Sequence, residues 1–176
     1  LTKDGTCDII FRIARRAAAV PIGRPRGCIP PQIGGRIMLY GNAIVGQSGG
    51  PTAAINATLA GVIRGMFECE YIKTAYGAFN GVEGMLEERM CDLREVFDSE
   101  EKLVTLENTP SSALGSCRMK LPALPPEGER DEKYERLFEI FKKYDIHYFF
   151  YIGGNDSMDT VAKLSAYAAR TDFPIR

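Results

Sequence analysis

The chain has 176 residues, 45% hydrophobic and 26% charged, enough to bury a core of ordinary single-domain size. Its 22 Lys+Arg against 23 Asp+Glu leave a net charge of -1 and a pI near 6.0, which supplies no basic field for a polynucleotide and argues against nucleic acid as a partner. Cys7, Cys28, Cys69, Cys91 and Cys117 are odd in number, widely spaced and free of any Cys-x-x-Cys pair. Neither a disulfide framework nor a zinc knuckle is indicated, and a reducing cytoplasm is the expected setting. No apolar run approaches the roughly 20 residues that cross a bilayer, so no membrane association is expected.

The first forty residues stand apart. They hold seven basic residues against the acids Asp4 and Asp8, and Pro21, Pro25, Pro30 and Pro31 break any periodicity. Residues 1–41 are left without a domain and read as a disordered or foreign extension. From Asn42 a strand through Ala43-Ile44-Val45 leads to a helix whose face is Ile55, Leu59, Val62, Ile63 and Met66. A second strand is expected over Tyr71–Tyr76. Gly77, Gly81 and Gly84 then open a loop-rich middle with a helical signal around Leu86–Phe97. Asp131–Tyr144 is a strongly amphipathic helix with Tyr134, Leu137, Phe138 and Phe141 on one face, acids leading and Lys142 and Lys143 closing. Tyr148–Ile152 reads as a strand buried on both faces, and Met158–Ala169 as the following helix with Val161 and Leu164 inward. The alternation predicts an α/β fold, Rossmann-like, in three αβα layers around a mainly parallel sheet with right-handed crossovers.

Two glycine turns carry the candidate chemistry. In Gln47-Ser48-Gly49-Gly50-Pro51-Thr52 the glycines permit a sharp turn and close approach of a ligand, and Pro51 suits a first helical position. The amides of Gly49, Gly50, Thr52 and Ala53 would then face an anion with the positive end of the helix dipole, and the Ser48 and Thr52 hydroxyls add donors. The turn is neither a Gly-x-x-x-x-Gly-Lys-[Ser/Thr] loop nor a Gly-x-Gly-x-x-Gly fingerprint, and alone it is an ordinary βα turn. A second turn, Gly153-Gly154-Asn155-Asp156-Ser157, also follows a strand and enters a helix, so in a parallel sheet both open on one edge. Asp156 or Ser157 is a candidate N-cap, and Asn155 with Asp156 a candidate oxygen pair for Mg2+. Between them, the loop Asn108–Arg118 ends in a guanidinium suited to bidentate phosphate binding. His147 has no triad partner nearby and is expected to be structural.

Taken together, Gly46–Asn56, Leu114-Gly115-Ser116-Cys117-Arg118 and Gly153–Ser157 resemble the phosphofructokinase family in order and approximate spacing, from Asn42 to the end. The resemblance implies an incomplete phosphofructokinase fold, residues 42–176 being its amino-terminal, donor-binding part. It implies a glycolytic, cytoplasmic phosphotransferase that moves a phosphoryl group to the 1-hydroxyl of fructose 6-phosphate with Mg2+ as cofactor, a homo-oligomer at full length. Gly49, Gly50, Thr52, Gly154 and Ser157 would hold the donor phosphates and Arg118 the transferred group. In the ATP-dependent branch a glycine stands where this chain has Asp156, leaving room for the α-phosphate. A carboxylate there matches the pyrophosphate-dependent branch, so Asp156 is the expected donor selector and pyrophosphate the expected donor. Asn155 stands at the family's magnesium-associated aspartate. The family's catalytic base lies in a Thr-x-Asp-x-Asp segment beyond Arg176, so the polypeptide alone is expected to be inactive. The alternatives are an ATP-dependent 6-phosphofructokinase and a non-catalytic phosphate-binding module.

Overall fold

The computed structural model describes residues 39–176 apart from residue 127, together with the backbone of residues 32–33 and 36–37. The expectation for residues 1–41 falls mostly outside the described residues. Within that stretch β1 (Gln32–Ile33) and β2 (Arg36–Ile37) pair antiparallel, and the next strand starts at Gly41.

The main sheet has four strands. β3 (Gly41–Gln47) is flanked in parallel by β4 (Ile72–Ala78) and β6 (Ile146–Ile152), and β5 (Met90–Asp92) adds antiparallel to β4, giving the order β5-β4-β3-β6. Side chains alternate across β3 as a pleated strand requires. Ala43 and Val45 join one core with Leu59, Ile63 and Met66 of α1 (Ile55–Glu68), Leu93 and Val96 of α3 (Leu93–Val96), and Leu103 and Leu106 of α4 (Glu100–Glu107). Ile44 joins the other core with Val82 and Met85 of α2 (Gly81–Leu86), Tyr134, Leu137 and Phe141 of α5 (Glu132–Lys143), and Leu164 and Tyr167 of α6 (Asn155–Arg170). Helices thus cover both faces of a mostly parallel open sheet, the expected α/β architecture.

Several boundaries differ from expectation for identifiable reasons. α1 begins at Ile55, not Pro51, because the Thr52 hydroxyl accepts a hydrogen bond from Ile55 N at 3.1 Å and residues 51–54 stay outside the helix. The glycine-rich middle holds α2, β5, α3 and α4, more structure than the turn signals suggested. Gly77 sits within β4 because a Cβ there would lie 2.7 Å from Leu93 Cδ2, so this glycine marks close packing. β6 is largely half-buried, not buried on both faces. It lies at the end of the strand order among the described residues, and on its far side Phe149 N donates to Arg176 O and Arg176 N to His147 O. α6 starts at Asn155 with Gly154 as its N-cap, so neither Asp156 nor Ser157 caps it. Val161 is 36% exposed and the inward face runs through Ser157, Thr160, Leu164, Tyr167 and Ala168. The expectation for α5 holds: Asp131 caps it by accepting from Lys133 N and Tyr134 N, and the four named apolar residues are buried. No helix among the described residues is long and apolar enough to cross a membrane.

A carboxylate clip ties the second layer to the loop between α2 and β5. Glu88, at φ 57, accepts from Arg136 Nη2 at 2.7 Å, from Tyr144 Oη at 2.8 Å and from Lys143 Nζ. Hydrogen bonds from Lys143 and Tyr144 hold its carboxyl below the ordinary value of 4.5. A depressed folded pKa stabilises the fold above the unfolded pKa, and that contribution disappears as pH falls through the folded value. Glu88→Gln should therefore lower Tm at pH 7, and the gap to the unmodified chain should narrow as pH drops below about 4.5. Calorimetric melts across pH 7 to 3 check this; a constant gap would refute it.

Candidate functional site

The two glycine turns lie at the carboxyl ends of adjacent parallel strands β3 and β6, and Gln47 pairs in register with Ile152. Ser48 N donates to Ile152 O at 2.8 Å, and an ideal Cβ on Gly49 would lie 4.0 Å from Gly154 N. Gly49 has φ +84, a conformation glycine adopts without strain. A Cβ on Gly153 would overlap the Ser157 hydroxyl and come within 2.8 Å of Ser48 O, so the second turn can approach the first only with glycine there. An open cleft of about 460 Å3 lies between them, lined by Ser48, Gly49, Gly50, Thr52, Ala54, Ile55, Thr58, Ile152, Gly153 and Gly154. A larger depression, about 680 Å3, lies between Pro125–Arg130 and the ends of α5 and α6, and none of the expected site residues lines it.

The structure sorts the expected donors. Among the described residues, the amides of Gly50, Thr52 and Ala53 make no hydrogen bond and remain available to an anion. Gly49 N is not available in the same way, because it donates to Cys117 O at 3.3 Å. Ser48 is buried and its hydroxyl donates to the same carbonyl at 3.2 Å, so it braces the turn. The Thr52 hydroxyl accepts from Ile55 N and keeps its own proton to donate. Gly154 lines the cleft. Ser157 lies under the second turn, 2% exposed, with a hydroxyl that has no hydrogen-bond partner. Arg118 is exposed and makes no ion pair among the described residues.

Asn155 and Asp156 stand exposed in the first turn of α6. Asp156 Oδ1 lies 3.0 Å from Lys120 Nζ, a pairing that sequence inspection missed. No group of three or more His, Cys, Asp or Glu side chains able to hold a metal occurs among the described residues. One carboxylate and one amide fit a magnesium ion shared with substrate phosphates, which keeps few protein ligands, and do not fit a cage built by protein alone.

Sequence inspection also gave no role to the groups that hold the site together. Gln47 and Asn56 are fully buried and face each other, Gln47 Nε2 donating to Asn56 Oδ1 at 3.1 Å. Gln47 Oε1 accepts from Leu114 N at 2.8 Å and Ser112 Oγ at 3.1 Å; Asn56 Oδ1 accepts from Ala113 N at 2.9 Å, and Asn56 Nδ2 donates to Thr109 O at 2.8 Å. These two amides clamp the loop carrying Arg118 against the first turn. Tyr151 lies beneath, its hydroxyl accepting from Val82 N at 3.3 Å; burial pushes its pKa up to about 12, so the phenol stays neutral. The signal available was a pair of polar residues flanking the glycine turn at positions that the strand and helix patterns turn inward. His147 is remote from this edge, at the start of β6, with Nδ1 2.6 Å from Pro174 O and Nε2 3.2 Å from Asp145 Oδ1.

The described residues thus form an α/β protein with an open, mostly parallel sheet and two glycine turns that meet at the carboxyl edge of its strands. Residues 42–175 match the phosphofructokinase family, and the chain belongs to it. It is 43% identical over 136 residues to pyrophosphate–fructose 6-phosphate 1-phosphotransferase of Methylococcus capsulatus, covering 77% of this chain and 31% of that protein. The enzyme of the same name from Rhodospirillum rubrum is 40% identical over 140 residues, 79% of this chain and 32% of its own length. The crystal structure of a pyrophosphate-dependent phosphofructokinase from Nitrosospira multiformis superposes with a TM-score of 0.67 at 41% identity, over 77% of this chain and 32% of that one. The chain thus spans about a third of the length of these relatives.

The clamp makes a direct prediction. Gln47→Ala removes the acceptor for the Leu114 amide, which stays buried, so unfolding free energy should fall by about 1–3 kcal/mol. Urea titration measures it; a loss under about 0.5 kcal/mol, typical of an exposed site, would show that the clamp is not formed.

Proposed function

We propose that this chain supplies the donor-phosphate half of a phosphotransferase that moves a phosphoryl group from pyrophosphate to the 1-hydroxyl of fructose 6-phosphate, a glycolytic step carried out in the cytoplasm. The observation that carries the reading is the meeting of the Gly49–Gly50 and Gly153–Gly154 turns around one cleft with three unengaged amides. The names of the 40–43% identical relatives support the same substrates. The homo-oligomeric state belongs to the proposal as well.

In this reading the amides of Gly50 and Thr52, the Thr52 hydroxyl and the Gly154 backbone hold the donor, whereas the Ser157 hydroxyl, buried beneath the second turn, reaches it only if that turn moves. The arrangement is fixed before the ligand arrives, so little reorganisation opposes binding. Arg118 faces solvent beside the cleft and neutralises the phosphoryl group as charge develops. Magnesium is the cofactor in this reading: Asn155 and Asp156 would hold it, and when bound it would screen phosphate charge. The Asp156 carboxylate stands where a longer polyphosphate would extend and disfavours it by bulk and charge.

Titration calorimetry of the 176-residue chain with magnesium pyrophosphate and magnesium ATP tests the reading. Pyrophosphate should bind more tightly, and Asp156→Gly should improve ATP binding by about tenfold, the effect of one unfavourable charge contact of roughly 1.4 kcal/mol. Tighter binding of ATP than of pyrophosphate by the unmodified chain would overturn the choice of donor.

A further inference from the structure

We propose that Lys120 is a donor-binding and donor-selecting residue, held by Asp156 beside Arg118 so that the pair meets the two phosphoryl groups of an inorganic diphosphate. The inference rests on the donor-site reading above and adds a residue to it.

The segment that carries Lys120 is fixed at both glycine turns. At its start, Cys117 O accepts from Gly49 N and Ser48 Oγ, which bolts it to the first turn. Three residues on, Lys120 Nζ meets Asp156 Oδ1 at 3.0 Å, which ties it to the second. Burial alternates along the way: Cys117 (2%) and Leu121 (3%) are buried and Met119 half-buried, while Arg118 and Lys120 are exposed. Arg118 and Lys120, two residues apart, are thus the exposed side chains of this segment. A diphosphate presents two anionic groups at a spacing that two such long cationic side chains can span together.

The Lys120 ammonium has three N–H donors and gives one to Asp156, leaving two for phosphate oxygens. Asp156 therefore has two effects. It restricts an exposed, flexible lysine to the first turn of α6, next to the second glycine turn, and Lys120 in turn offsets the carboxylate charge that a bound diphosphate would otherwise feel. A bare carboxylate near the donor would repel every phosphate, short or long. With Lys120 attached, the repulsion falls chiefly on a ligand that extends past the pair. The same two residues account for acceptance of the short donor and rejection of the long one.

The test is calorimetry with magnesium pyrophosphate on the unmodified chain, Lys120→Met, Lys120→Arg, Asp156→Ala and the double variant, with Tm recorded for each. Both side chains of the pair are well exposed, 67% and 70%, so Tm should change little. Lys120→Met should weaken pyrophosphate by about 10- to 100-fold, the loss of a charge-assisted hydrogen bond, and Lys120→Arg should restore most of it. In the Asp156→Ala background the same replacement should cost no more than about threefold, because the unanchored lysine contributes little. Equal affinity of the unmodified chain and Lys120→Met would overturn the proposal while leaving the donor site standing. Equal losses in both backgrounds would overturn the anchoring by Asp156. Failure of the unmodified chain to bind pyrophosphate would overturn the donor-site reading and Lys120's role with it.

Discussion

The buried amide pair Gln47 and Asn56 is the constraint on which the site depends. Two uncharged side chains, one at the end of β3 and one in the first turn of α1, satisfy each other and then spend their remaining capacity on the backbone of residues 109–114. A buried amide left without partners costs a few kcal/mol, so the loop has one position at which these groups are satisfied and few others. A second bolt reinforces it, because Asn80 N donates to Leu114 O at 2.7 Å and Asn80 Nδ2 to Ser116 O at 3.2 Å. The loop is short of apolar side chains and would be mobile by composition. Here it is fixed from below, and Arg118 projects from its end toward solvent.

The same economy appears in the turns. Glycine is required at Gly49 by a positive φ and at Gly153 by the proximity of Ser48 and Ser157, two distinct reasons for the same residue type. Together they let two strand ends approach closely, with one open cleft lined by both turns. The carbonyl of Cys117 takes two donors from the first turn, so the turn's shape and the arginine's position are set by one atom. Substitution in this region is expected to affect fold and binding together, since few of these bonds serve only one of them.

Much of this was legible in the sequence, and the rest was hidden for definite reasons. Period-3.6 patterning located α1 and α5 to within a few residues, since each buries one wide apolar stripe. It misplaced Val161 because α6 turns inward a face that begins with the polar residues Ser157 and Thr160, which an apolar pattern does not mark. β6 read as doubly buried from its five consecutive apolar residues, whereas its aromatic rings Phe149 and Tyr151 stack on each other and keep partial exposure. Glycines at 77, 81 and 84 signalled loops, yet all three mark close approach inside packed structure: at Gly77 the neighbour is Leu93, at Gly81 it is the Tyr151 hydroxyl, 2.5 Å from where a Cβ would be, and at Gly84 it is the Phe79 carbonyl oxygen, closer still. The glycine turns and Arg118 were evident as motifs. The clamp and the Lys120–Asp156 pair were not, because each joins residues far apart in the chain and no local pattern records such a meeting.

The central position of β3 has a consequence for how the molecule folds. Its pairing with β4 closes over a single helix, but its pairing with β6 brings together segments such as Asn42 and Tyr144, 102 residues apart. Closing so long a loop is entropically costly and slows parallel sheets relative to locally connected folds. The first glycine turn can form early, with β3, α1 and β4. The cleft needs the second turn as well and cannot exist until β6 has docked, so a chain that has collapsed but not completed its sheet lacks it. A ligand that grips both turns would then favour the finished sheet over every partly assembled form.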